Sequence, residues 1–241
     1  MIEENLRIGY SFLFQDGNTL NCDVLLNPET LSLVRPTPAP PFPEWTKLEN
    51  HKCACCPLTT DECLHCPVAV NIAGLIDAFG DRISFDPCKV TCTTRERTYV
   101  KETTVQQGLF SIFGLVMATS GCPEMALFKA MARFHLPFST IEETIVRVTA
   151  MHCLRRYFES QEGGVPVIDL HVLDAYYEKI QTVNEGLFKR IEELSRQDAN
   201  KNAMIILDSI SRIVSIEIRD GLQSLRYLFA PAPAKDSGRE C

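Results

Sequence analysis

The sequence predicts an α+β chain: a small N-terminal antiparallel β module with a four-cysteine metal knuckle, then a mainly helical bundle ending in a long antiparallel helical hairpin. Three observations predict it. Apolar runs with turn residues between them fill the first 35 positions. Two C-x-x-C pairs follow within residues 53–66, and beyond Thr103 apolar residues recur at helical spacing.

Residues 5–14 and 19–26 flank Gln15-Asp16-Gly17-Asn18, and an Asp-Gly step between apolar runs signals a hairpin because its tight turn needs positive φ. A third short strand is expected at 31–34, after Asn27-Pro28-Glu29, which closes a first unit at 1–35. The proline-rich run 35–43 suits neither helix nor central strand, so 36–52 reads as an extended connector. The metal knuckle occupies 53–66, a mixed strand pair and bundle 67–230, and a loose tail 231–241.

Within the long third segment, Pro67 stands where a first helical residue belongs, and Val68, Ile72, Leu75, Ile76 and Phe79 mark one apolar face. Residues 83–101 read as two strands around Asp86-Pro87. Thr103 with Gln106 resembles a capping box opening a central helix through Met117. Ser139 with Glu142 opens another, with Ile141, Ile145, Val148, Met151, Leu154 and Phe158 on one face and Gly163-Gly164 at its end. Leu173, Ile180, Leu187 and Leu194 then recur every seven residues, with Tyr177, Asn184 and Ile191 between them. Asn184 reads as a polar residue that sets register. A partner helix carrying Leu207, Ile210, Val214, Ile218, Leu222, Leu225 and Phe229 completes a bundle of four or five helices.

A length of 241 residues with 45% hydrophobic content suffices for one sizeable core or a core plus a small module. A net charge of −7 argues against a general nucleic-acid coat, which needs clustered Lys and Arg. The acidic start Met1-Ile2-Glu3-Glu4-Asn5 lacks the order of a secretory signal, and the apolar stretch 109–118 is shorter than the roughly 20 residues that span a bilayer. A cytoplasmic protein without a membrane segment is the expectation. Eleven cysteines in that setting are reduced thiols or metal ligands.

Cys53, Cys56, Cys63 and Cys66 form the predicted metal site, because each C-x-x-C offers two sulfurs to adjacent corners of a tetrahedron. Zn2+ is the expected ion and an iron–sulfur cluster the alternative. Ordinary reduced cysteines are the remaining reading. The stretch has few large apolar groups, so metal binding is expected to supply its folding energy. Cys55, His51 and His65 are reserve ligands, whereas Cys88 and Cys92 read as packing residues.

Cys122 in Thr119-Ser120-Gly121-Cys122-Pro123-Glu124 falls near an N-cap, where a thiol should ionise more readily. Arg133 and His135 in Arg133-Phe134-His135-Leu136-Pro137-Phe138 form a polar pair between helices. Two functional readings follow. Arg133 and His135 hold a small anionic ligand, or Cys122 is a catalytic thiol with His135 as its base. The plain alternative is a tight interhelical turn that satisfies helix carbonyls. Arg95, Arg97 and Lys101, with Tyr99, share one face of a proposed strand, either solvated or facing an anion. Walker, dinucleotide, H-E-x-x-H and G-x-S-x-G patterns are missing.

Through the Asp16-Gly17 hairpin, the cysteine pairs, Thr119-Ser120-Gly121-Cys122-Pro123, Arg133-Phe134-His135-Leu136-Pro137-Phe138 and Asp198-Ala199-Asn200, the chain resembles an uncharacterised bacterial family. The resemblance implies a bacterial cytoplasmic setting and no reaction. The reading is therefore a zinc-stabilised binding, regulatory or assembly protein whose partner is another protein or a small anion. The competing reading is a thiol-dependent enzyme or redox sensor on Cys122, with His135 and Arg133.

Overall fold

The computed structural model describes residues 4–35, 41–163, 169–194 and 196–229. Residues 36–40 of the expected 36–52 connector, Gly164 and the expected tail fall outside those residues.

Strands β1 (Leu6–Phe14) and β2 (Thr19–Leu26) form the expected antiparallel hairpin, with Gly17 at φ 81° in its turn. Ile8, Tyr10, Phe12 and Phe14 alternate onto one face and are buried, as the period-two pattern requires. Helix α1 (Pro67–Ala78) begins on its proline and delivers Phe79 edge-on to Phe12, ring centroids 4.8 Å apart.

Strands β3 (Pro87–Thr93) and β4 (Thr98–Thr104) pair with each other, and β3 also pairs with β1, giving one antiparallel sheet ordered β2-β1-β3-β4. Chain on both sides of the expected connector thus shares one sheet and one continuous apolar core. The β3–β4 turn lies at 94–97 rather than at Asp86-Pro87. Pro87 instead starts a strand, where it needs no donor to the ladder. The expected third strand at 31–34 reduces to a single bridge between Leu26 and Leu33, with Leu31 at φ 54°.

Helix α2 (Val105–Thr119) lies on the sheet and is central, its Val105, Leu109, Ile112 and Phe113 fully buried. Its N-cap is Thr104, and the orphan amides of Val105 and Gln106 donate to the Asp86 and Ser84 carbonyls, so no Thr103 capping box is made. A 3₁₀ turn (Pro123–Phe128) and short α3 (Lys129–Arg133) lead to α4 (Ile141–Gln161). The box that opens α4 is Thr140 with Glu143, one residue beyond the expected pair.

On α4 only part of the expected apolar face is covered. Ile145 and Val148 are buried, whereas Leu154 is 51% and Phe158 63% exposed. Helices α5 (Leu170–Glu192) and α6 (Asp198–Arg219) form the long hairpin, burying Leu173, Tyr177, Ile180, Leu187 and Ile191 against Met204, Val214 and Ile218. Asn184 is buried in that seam. Asp198 and Asn200 anchor the start of α6, accepting from the Ser84 amide at 2.6 Å and donating to the Ile76 carbonyl at 3.1 Å. No single helix among the described residues is long and apolar enough to cross a membrane.

Candidate functional site

Pairing of β1 with β3 brings the start of β1 and the 94–97 turn opposite the loop between α3 and α4, and a cavity of about 830 Å³ lies between them. Five arginines line it: Arg7 from β1, Arg95 and Arg97 from the turn, Arg133 from α3 and Arg147 from α4. The acidic side chains at its edge are Glu4 and Glu96. In a chain of net charge −7 this is a local reversal of sign.

Local chemistry positions most of these arginines. The Thr94 hydroxyl accepts from the amides of Glu96 and Arg97 at 3.3 and 3.2 Å, closing the turn that presents Arg95 and Arg97. Those two are therefore on a turn, not on the strand face expected for them, and Lys101 lies apart over the Phe138 ring at 5.8 Å. Arg147 donates to the carbonyls of Met131 and Phe134 at 3.2 and 2.9 Å, satisfying the end of α3. Arg7 is paired with Asp23 at 2.8 Å. Among the described residues Arg95, Arg97 and Arg133 make no ion pair.

His135 lies half-buried beside the cavity and shares a hydrogen bond of 2.5 Å with the hydroxyl of buried Tyr10. Burial, with the Arg147 guanidinium nearby, pushes the His135 imidazole down to about 3. Burial likewise holds the Tyr10 phenol well above its ordinary range, so both groups are neutral at neutral pH. The cavity therefore offers fixed guanidinium charge and a neutral hydrogen-bonding wall, a combination suited to carboxylate or phosphate.

Hydrogen bonds hold the cysteine segment in place. Arg190 of α5 is buried and donates to the carbonyls of Trp45, Lys47 and Leu48 at 3.0, 2.6 and 3.0 Å. Leu48 and Cys66 amides donate to the Leu64 and Thr46 carbonyls, tying the two ends of the segment together. These hydrogen bonds give the segment shape without a metal. Among the described residues, no three Cys, His, Asp or Glu side chains converge as closely as one ion requires.

The predicted ligands separate into two groups. Cys63 turns its thiol to the His65 carbonyl at 2.8 Å. Of the reserves, His65 engages Thr46, His51 engages Glu193, and Cys55 donates to the Lys179 carbonyl at 3.6 Å. Burial first, then the neighbouring Cys66, Cys55, Cys56 and Cys122, push the Cys53 thiol up to about 12.

Cys122 is buried, and desolvation pushes it up to about 11 although the amides of Glu124 and Met125 act in the opposite sense. The easier ionisation expected of an N-cap thiol is therefore outweighed. Its sulfur neighbours are Cys66 and Cys56, and no hydrogen bond joins it to His135 among the described residues. Cys88 and Cys92 are buried packing residues of β3.

Residues 8–230 match the model of a family described as a domain of unknown function, DUF6901. The chain belongs to the DUF6901 family. No curated protein and no solved structure matches it. In this DUF6901 chain, sequence reasoning missed Arg7, Tyr10 and Arg147 as parts of the site. Arg147 carried a signal, a cation set between the apolar positions Ile145 and Val148 of α4. Tyr10 carried none, since its partner lies 125 residues away.

Proposed function

We propose that this DUF6901 chain is a non-catalytic binding protein that takes a small anion in its arginine cavity. The observation that carries the reading is the approach of Arg95, Arg97 and Arg133 to one space without a carboxylate partner among the described residues. Guanidinium groups are commonly neutralised in folded proteins, and three without an ion pair around one concavity favour an anion supplied from outside. Arg97 also donates to the Tyr99 hydroxyl, and Arg133 lies over the Phe134 ring. Thiol catalysis on Cys122 has less support, because His135 is committed to Tyr10 and weakly basic.

The cysteine segment enters this proposal as a thiolate metal centre, zinc or an iron–sulfur cluster, that braces the protein without reacting. The chemistry of the segment supports it: two C-x-x-C pairs lie six residues apart, and the Cys53 thiol feels Cys66, Cys55 and Cys56.

A thermal-shift comparison tests the anion reading. Inorganic pyrophosphate and citrate, each matched to chloride at equal ionic strength, should raise the melting temperature of the wild-type protein and not that of an Arg97→Ala/Arg133→Ala variant. Equal shifts in both proteins would refute it.

A further inference from the structure

Resting on the metal reading above, we infer that Cys122, and not Cys63, completes a four-thiolate centre with Cys53, Cys56 and Cys66.

The first observation is a shared local design. Cys56-Pro57, Cys66-Pro67 and Cys122-Pro123 are the chain's three Cys-Pro steps, whereas Cys63 is followed by leucine and Cys53 by alanine. A residue before proline is held out of the helical region, which narrows the backbone from which its side chain projects. Cys66 at φ −62°, ψ 121° and Cys122 at φ −66°, ψ 126° adopt nearly the same backbone, each just before a helical turn that opens on proline. A Cys-Pro step also ends one well-known iron–sulfur ligand run.

The second observation is placement. The Asn71 side-chain amide donates to the Pro67 carbonyl at 2.8 Å and the Ser120 carbonyl at 3.0 Å. One side chain thereby fastens the turn holding Cys66 to the turn holding Cys122. Cys53 lies within electrostatic reach of Cys66 and Cys122, and Cys56 within reach of Cys53 and Cys122.

The third is a close approach. A Cβ placed on Gly186 of α5 would stand 2.9 Å from the Cys53 sulfur and 3.0 Å from the His51 carbonyl, so only glycine lets the loop carry Cys53 this far inward. Cys63 has no such placement, and its thiol is turned into its own loop. Binding would have to draw the four sulfurs together, since they do not converge on one point among the described residues.

The centre would join residues 53–66 to the junction after α2, and it accounts for the Thr119-Ser120-Gly121-Cys122-Pro123 run without catalysis. Ser120 donates to the Met117 carbonyl at 2.8 Å and Gly121 takes φ 90°, together turning the chain so that Cys122 faces inward.

Elemental analysis for zinc, iron and acid-labile sulfide decides the matter on full-length wild-type, Cys63→Ser, Cys122→Ser and Cys122→His proteins purified without oxygen. Co2+ titration of the stripped proteins accompanies it. The expected result is about one centre per wild-type chain, retained in Cys63→Ser and lost in Cys122→Ser. Cys122→His should bind Co2+ again with weaker sulfur-to-metal absorption, which separates ligand loss from misfolding. Zinc, or iron with sulfide, each supports the ligand set and identifies its occupant. Metal lost from Cys63→Ser but kept in Cys122→Ser overturns this ligand set and leaves the metal reading standing. A wild-type protein that carries neither metal and does not bind Co2+ overturns both.

Discussion

The Tyr10 hydroxyl and the His135 imidazole, 125 positions apart in the chain, share a hydrogen bond of 2.5 Å. Through it the core face of β1 holds the loop between α3 and α4, and that loop is one wall of the arginine cavity. Tyr10→Phe keeps the ring and removes the oxygen, leaving His135 without its partner. The cost should be about 1–3 kcal/mol, the range for an unsatisfied buried group, read as a lower urea midpoint with an unchanged m-value. An unaltered midpoint would show that the pair does not brace the wall.

Stability should depend on pH through His135. Its folded-state pKa, about 3, lies below the ordinary 6.5, so the unfolded chain binds the proton first. The contribution is therefore complete above 6.5 and is lost as pH falls from there toward about 3. The slope for one such group approaches about 1.4 kcal/mol per pH unit. Denaturation midpoints at pH 7.5 and 5.5 should diverge more in wild type than in His135→Gln. His152, also lowered by burial, contributes equally to both proteins and cancels. Parallel behaviour of the two proteins would contradict the assignment.

Gly108 sets how closely α2 approaches the sheet. A Cβ there would fall 2.4 Å from Phe12 Cε1 and 2.9 Å from Val90 Cγ2, both in the fully buried core. Alanine gains up to about 1 kcal/mol in helix propensity, but overpacking costs about 1–3 kcal/mol. With the Phe12 ring enclosed, the second effect should win. Gly108→Ala is expected to melt lower than wild type, and a higher melting temperature would disprove the close packing.

Arg190 supports three carbonyls with one buried cation. Arg190→Leu removes the donors and leaves the acceptors buried, so a loss of at least about 3 kcal/mol is expected. Limited proteolysis should then cut within 45–66 before any other region. Wild-type resistance in that segment would mean that other contacts order it.

What the sequence made legible follows the range of the information involved. The Leu173, Tyr177, Ile180, Leu187 and Ile191 seam was readable because heptad spacing is local, and the Asp16-Gly17 turn because its chemistry is. Adjacent hydroxyls defeated the caps: Thr103 and Thr104, like Ser139 and Thr140, differ only in which backbone leaves the helix first. Pro87 misled because proline marks a turn and a strand start equally.

The site was legible in halves. Arg133 with His135 and Arg95 with Arg97 each stood out, yet their meeting depends on Gly9 pairing with Thr93, a long-range register that no local pattern encodes. The cysteine quartet was read from spacing alone. Spacing gives no sign that the Cys63 thiol turns to the His65 carbonyl or that Cys122 lies within electrostatic reach of Cys66 and Cys56.

Isothermal titration of pyrophosphate into the full chain at two salt concentrations tests the central claim most directly. Wild type should bind saturably and more weakly at high salt. Arg97→Ala/Arg133→Ala should lose at least about tenfold in affinity, since one charge-assisted hydrogen bond is worth about 1.5 kcal/mol or more, while Lys101→Ala binds as wild type does. Equal affinity in all three proteins, or no heat in wild type with either pyrophosphate or citrate, would contradict an anion site in the arginine cavity.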